Sequence, residues 1–257
     1  MHSAGAANPS TTVTTTTVPV TTTVPVTTTT TTTVPVTTTT ATTVPAGPPY
    51  PVSRLTLPLV DTSRPTVSNG RTISATRALT TEVWVPQAPG RRPLVVFAHG
   101  FDVGPDTYAA LIAAWASHGY IVAAPEFPLT DPAVAGPDLD EADINNQPAD
   151  VRFVTDWLVG PASPLAGRID PARVAIAGHS DGGETVVGAG ETPTPAAQPP
   201  YRAVVAMSAQ VVPGTSGPYP PMLITQGDAD TINPPSLGQQ LYDNQGRQAV
   251  LTGAAAD

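Results

Sequence analysis

The residues Gly178-His179-Ser180-Asp181-Gly182-Gly183 form a Gly-x-Ser-x-Gly pattern, and their flanks give the pattern chemical meaning. The apolar run Arg173-Val174-Ala175-Ile176-Ala177 reads as a buried strand leading in, and Glu184-Thr185-Val186-Val187 opens a helix leading out. A sharp strand-to-helix turn holds its serine in strained geometry and lifts the hydroxyl above the sheet, beside N–H groups that favour negative charge. Gly178 and Gly182 are required because side chains there would collide with the neighbouring strand and helix. Ser180 is therefore read as a nucleophile for acyl transfer. His179, adjacent on a tight turn, should point away from the serine oxygen and support the turn from beneath.

A tetrahedral acyl-transfer intermediate needs two N–H donors for its oxygen, one after the nucleophile and one from a nearby strand end. His99-Gly100-Phe101 ends the continuous apolar run of residues 93–98 and supplies the second position. The expected donors are the backbone N–H groups of Asp181 and Phe101. Gly100 permits close approach of the chain to substrate, and His99 braces the loop. The Phe101 ring either floors the site or belongs to the core.

The acid that orients a catalytic imidazole belongs in a loop after a late strand, with Ser, acid and His following in that chain order. Residues 226–235, Gln226-Gly227-Asp228-Ala229-Asp230-Thr231-Ile232-Asn233-Pro234-Pro235, provide such a loop. Asp230 is the expected acid and Asp228 a turn former beside Gly227; a metal-binding or purely structural pair is the other reading. The loop after the preceding strand, Ser208-Ala209-Gln210-Val211-Val212, has no carboxylate. The base is the missing part. The 4 histidines are His2, His99, His118 and His179, and none follows Asp230.

These residues require a particular scaffold. Residues 52–59, 72–85, 93–98, 121–124, 174–177, 203–207, 222–225 and 248–251 read as strands, several of them apolar throughout and so buried on both faces. Between them, residues 106–118, 148–159, 184–189 and 236–244 show helical spacing, with Gly119 stopping the first and Pro148 in the first turn of the second. Strands alternating with helices predict a mostly parallel central sheet covered on both sides, a three-layer α/β sandwich.

That scaffold occupies residues 50–257. Residues 1–49 are almost wholly Thr, Val, Pro and Ala, with Val-Pro units breaking runs of threonine. Proline at this spacing blocks helix and sheet, and threonine offers little apolar surface to bury, so an extended disordered tether is expected. It reads either as an O-glycosylated stalk or as an undecorated spacer, and both suit an extracellular or cell-surface protein. No signal peptide is visible at the start. No apolar run reaches membrane-spanning length. The net charge is −9, every cation is an arginine, and no basic run interleaves with aromatics, which disfavours nucleic acid as a partner. With 0 cysteines there is no thiol nucleophile, disulfide or thiolate metal site.

The sequence resembles the secreted α/β-hydrolases that include dienelactone-hydrolase-like, chlorophyllase-like and platelet-activating-factor-acetylhydrolase-like enzymes and the cutinase-like polyester hydrolases. The resemblance lies in residues 61–65 (Asp-Thr-Ser-Arg-Pro), Trp84-Val85-Pro86, and residues 95–101, 119–125, 170–183 and 227–235. It implies a serine esterase acting through an acyl-enzyme on a small-molecule or polymeric ester, with no metal or organic cofactor. Where the polyester hydrolases carry Met after the nucleophile, this sequence has Asp181. The family places Gly-x-x-His after the last strand and then a covering helix; Gly253 is present, and the chain stops at Asp257.

Two functions are expected on these grounds. The first is a carboxylic ester hydrolase, C-terminally truncated and nearly inactive for want of the triad histidine, with an uncovered stretch of sheet that lowers solubility or melting temperature. The second is a non-catalytic pseudo-hydrolase that binds a ligand or surface from its stalk.

Overall fold

The computed structural model describes residues 49–191, 201–215, 218–245 and 249–254. The Thr/Pro segment and His2 lie outside the described residues. The chain separates into two units, Met1–Ala46 and Gly47–Asp257, and every element named below belongs to the second.

Strand β1 (Val52–Asp61) pairs antiparallel with β4 (Arg77–Pro86) along its whole length, from Val52 opposite Pro86 to Asp61 opposite Arg77. Between them, β2 (Thr66–Ser68) and β3 (Arg71–Ser74) form a separate hairpin. The pattern of residues 72–85 predicts one strand, but the structure divides it. Asn69-Gly70, at φ 50° and 75°, turns the chain so that residues 71–74 fold back on β2 and the long strand begins only at Arg77.

The main sheet continues through β5 (Arg92–Ala98), β6 (Ile121–Pro125), β7 (Ile169–His179), β8 (Ala203–Met207), β9 (Met222–Gly227) and β10 (Ala249–Ala254), in the order β1-β4-β6-β5-β7-β8-β9-β10. β4 is antiparallel to both neighbours, and from β6 to β10 every neighbouring pair is parallel. The last strand runs on to Ala254, so Thr252-Gly253-Ala254 belong to the sheet, whereas the apolar run by itself ends the strand at 251.

Alternation along each strand sends side chains to two layers. Leu94, Val96 and Ala98 of β5 pack with α3 (Gln147–Val159), α4 (Asp181–Gly190) and α5 (Pro235–Gln245) through Val151, Val154, Leu158, Val186, Val187 and Leu241. Val95 and Phe97 face the other way, onto Ile112 and Ala116 of α1 (Ala109–Ser117). Full burial of each of these Leu, Val, Ile and Phe side chains contributes about 1.5–3 kcal/mol. On the α1 side, Ala175, Val205 and Met207 are only partly covered, and Leu223, beside Val205, is 37% exposed. The first helix is shorter than its spacing predicts: residues Pro105–Tyr108 form a 3-10 turn, and Gly119, at φ 97°, ends α1.

The long excursion between β6 and α3, containing the short helix α2 (Pro132–Ala135), is held by buried charge. Arg77 is fully buried and donates to Asp143 at 2.9 and 2.8 Å and to Asp150 at 2.9 and 2.6 Å. Arg64 bridges Asp61 at 2.7 Å and Asp150 at 2.6 Å. Burial alone would push the Arg77 guanidinium down; its hydrogen bonds to Asp143 and Asp150 more than reverse this and hold it protonated. A second tie is neutral: Thr185 of α4 donates to Gln147 at 2.6 Å, and Gln147 donates to Thr130 of the excursion at 2.8 Å.

Candidate active site

The carboxyl ends of β5, β7, β8 and β9 share one edge of the sheet, where ligands of open α/β sheets bind. Ser180 sits between β7 and α4 at φ 56° and ψ −126°, a conformation that L-residues rarely adopt. The turn is built by close backbone approach. A Cβ on Gly178 would overlap the Gly182 carbonyl, and one on Gly182 would overlap the Ala98 carbonyl of β5. The Ser180 N–H donates to the Met207 carbonyl at the end of β8, at 2.9 Å. The first N–H groups of α4 stand beside Ser180, since helix bonding begins only with Glu184 donating to the Ser180 carbonyl.

Gly100 lies against this turn. A Cβ on Gly100 would come within 3.3 Å of Ser180 Cβ and 3.3 Å of the His179 carbonyl. The His99 ring is buried, with Nδ1 2.8 Å from the Gly100 carbonyl and Nε2 accepting the Phe127 N–H at 3.1 Å. Burial pushes the His99 imidazole down, against the pull of the Gly100 carbonyl and Asp131. A neutral imidazole with its proton on Nδ1 satisfies both bonds. Phe101 is half-buried, so its ring is not part of the closed core.

Tyr108 is a site residue whose sequence pattern marks it only as one of the helix-spaced apolar positions. Its hydroxyl accepts the Gly100 N–H at 3.2 Å and meets His179 Nδ1 at 3.0 Å. Burial lowers the His179 pKa, with Asp230 opposing that shift. Among the described residues no hydrogen bond joins the Ser180 hydroxyl to a histidine. His99 and His179 are engaged as above, and His118 is exposed beyond α1 with Nδ1 2.8 Å from the Ala114 carbonyl.

Asp230 is drawn back into the site by its own loop. Its Oδ1 accepts the N–H groups of Ile232 and Asn233, each at 2.9 Å, and its Oδ2 accepts from Gln226 at 3.3 Å. The Asn233 N–H, with further help from Ile232, Ser208 and the His179 ring, holds its carboxyl below the usual range. Asp228 is exposed. Asp181 behaves in the opposite way. Burial, reinforced by Glu141, pushes its carboxyl up to about 6, and Oδ2 is buried with no hydrogen-bond partner. Burial also raises Glu184, although Gln210 donates to it at 2.8 Å. Among the described residues there is no group of three or more potential metal ligands, and no helix is long and apolar enough to cross a membrane.

Known proteins share this fold. A family model described as chlorophyllase matches residues 60–224, which takes in His99, Gly100, Phe101 and Ser180 but stops short of Asp230. Chlorophyllase-2 of Arabidopsis thaliana is 33% identical over 107 residues, 40% of this chain, and the match spans 30% of the plant protein. The structure of a ferulic acid esterase from Streptomyces cinnamoneus superimposes with a TM-score of 0.61 at 23% identity, covering 82% of this chain and 74% of that one. The fold is that of the α/β-hydrolases, and with well over half of its residues matched by the family model, the chain belongs to the chlorophyllase family.

Proposed function

We propose that the protein is a carboxylic ester hydrolase that works through an acyl-enzyme on Ser180. The observation that carries this reading is Ser180 itself, a non-glycine residue at φ 56° at the start of α4 with Gly100 packed against it. Such strain persists only where the surroundings over-determine it, and it aims the hydroxyl away from the sheet. In the reaction Ser180 Oγ attacks the ester carbonyl, and the backbone N–H groups of Phe101 and Asp181 take the negative charge that develops on the carbonyl oxygen. A base takes the Ser180 proton and hands it to the departing alcohol; water, deprotonated by the same base, then releases the acid and the proton returns to the serine. Asp230, held ionised by its loop, orients and stabilises the imidazolium of a base. His99 and His179 support the two loops and do not exchange protons with substrate. The substrate is a small-molecule or polymeric ester, and the Thr/Pro segment fits display outside the cell.

The 257 residues hold no histidine after Asp230, and a subtilisin-type enzyme without its triad histidine loses on the order of 10⁶ in turnover, so the reading is tested with an added base. The test is rescue. Free imidazole added to the purified chain should accelerate p-nitrophenyl butyrate hydrolysis above the imidazole background, and Ser180→Ala should abolish the gain. A gain that survives Ser180→Ala refutes the reading.

The absence of a histidine hydrogen bond to the Ser180 hydroxyl among the described residues favours one alternative, a pseudo-hydrolase that binds esters without turning them over. Saturable binding of the ester with no imidazole-dependent acylation of Ser180 would select it.

A further inference from the structure

We propose that Tyr108 is a positioning residue that sets the spacing of the two oxyanion donors by joining the Gly100 loop to the nucleophile turn. The proposal rests on the reading of Ser180 as nucleophile. Its basis is a continuous hydrogen-bond chain. The Gly100 N–H donates to the Tyr108 hydroxyl at 3.2 Å, and that hydroxyl, having accepted one proton, has His179 Nδ1 within reach at 3.0 Å for its own. Gly100 immediately precedes Phe101, and His179 immediately precedes Ser180-Asp181. Each end of the chain is therefore one or two residues from an oxyanion N–H.

The geometry of Gly100 explains why such a link is needed. Glycine has the softest backbone of any residue, and a donor that drifts loses its value in stabilising developing charge. Here both polar groups of Gly100 are fixed, the N–H by Tyr108 and the carbonyl by His99 at 2.8 Å. The Gly100 carbonyl and the Phe101 N–H belong to one planar trans peptide and point in opposite directions. With the carbonyl turned to the buried His99 ring, the Phe101 N–H is turned away from that ring. His99 thus sets the orientation of the peptide, and Tyr108 sets its distance from the elbow. Tyr108 is itself steadied by ring contacts with Phe97, at 4.8 Å between centroids, and with His179, at 5.6 Å. Its hydroxyl is committed to Gly100 and His179, so it acts through the loop and not on substrate.

The test uses the full chain with imidazole and a pair of probes, diethyl p-nitrophenyl phosphate and its phosphorothioate (P=S) counterpart. Ser180 Oγ forms a bond to phosphorus, its proton passes to imidazole, and p-nitrophenolate leaves as the measured product. N–H donors serve a phosphoryl oxygen far better than a sulfur, so the oxygen-to-sulfur rate ratio reports donor alignment directly. Tyr108→Phe should lower the maximal labelling rate of the oxygen probe about tenfold, part of the 10²–10³ that a lost donor costs. Its half-saturation concentration should stay unchanged, and the oxygen-to-sulfur ratio should fall in parallel. His179→Ala, which frees the far end of the link, should give a smaller fall of the same kind and serves if Tyr108→Phe does not fold. A Tyr108→Phe or folded His179→Ala protein that keeps the wild-type ratio overturns the proposal. Labelling of wild-type protein that is no faster than that of Ser180→Ala overturns the nucleophile reading itself, and the link with it.

Discussion

The Gly182 carbonyl occupies the space into which a Cβ on Gly178 would project, so the nucleophile turn closes backbone against backbone. Neither partner in that contact is the movable end of a side chain. Gly178→Ala should therefore force the strand and helix apart, with a cost of about 3 kcal/mol or more, at the upper end of overpacking. Gly182→Ala should do the same against Ala98. Chemical denaturation of both variants checks this, and a midpoint equal to wild type would show that the turn can relax.

The strain at Ser180 separates two substitutions that both remove its hydroxyl. Ser180→Ala keeps a Cβ at φ 56° and so keeps the strain, whereas Ser180→Gly relieves it. Strain of this kind is worth about 1–3 kcal/mol, less the entropy that glycine adds to the unfolded chain. Ser180→Gly should melt above Ser180→Ala, with a difference of about 1 kcal/mol. Equal melting would mean that the strain is no larger than the entropy glycine adds to the unfolded chain.

Asp181 predicts a pH dependence. Its folded pKa, about 6, lies above the ordinary value of 3.8, so the folded state binds the proton more tightly than the unfolded state does. Ionisation in the folded protein therefore costs stability, and that cost grows as pH rises from about 4 to about 6 and is constant above. Asp181→Asn removes it. The variant should melt above wild type at pH 8, the gap narrowing as pH falls through 6 and vanishing below about 4. On the proposed mechanism the same neutralisation removes a negative charge beside the developing oxyanion, so imidazole-rescued turnover at pH 8 should also rise.

Arg77 makes the strongest stability claim. Arg77→Met strips Asp143 of its cation and leaves Asp150 with Arg64 alone, and breaking a buried pair from one side costs about 3–5 kcal/mol. Urea titration should show that loss. Because the pair anchors the excursion containing Glu141, which acts electrostatically on Asp181, the variant should also open the site to proteolysis between β6 and α3.

Much of this arrangement was legible in the sequence where chemistry and local geometry coincide. The Gly-Ser-Gly spacing states its own backbone requirement, and the alternating and continuous apolar runs predicted the mostly parallel sheet with helices on its faces. What escaped the sequence depends on side chains distant along the chain. Tyr108 looks like one more apolar helix position, because nothing local reveals that its hydroxyl meets Gly100 and His179. Arg77 lies more than sixty residues from its carboxylates, inside the run 72–85, where nothing local marks it for burial. The Asn69-Gly70 turn carried a usable signal that the strand-like run after it obscured.

The Ser180 N–H bond to the Met207 carbonyl is one rung of a longer series. Ser208 N–H in turn donates to the Thr225 carbonyl of β9, and the Ser208 side chain helps hold the Asp230 carboxyl below its usual range. Ser180 and the Asp230 loop, the proposed nucleophile and acid, are thus registered through three adjacent strands, not through a flexible crossing. Amide hydrogen exchange at Ser180 and Ser208 should accordingly be as slow as in the centre of the sheet. On heating, the reacting groups should keep their alignment until β7, β8 and β9 separate, so that loss of Ser180 reactivity and loss of the sheet occur in one transition.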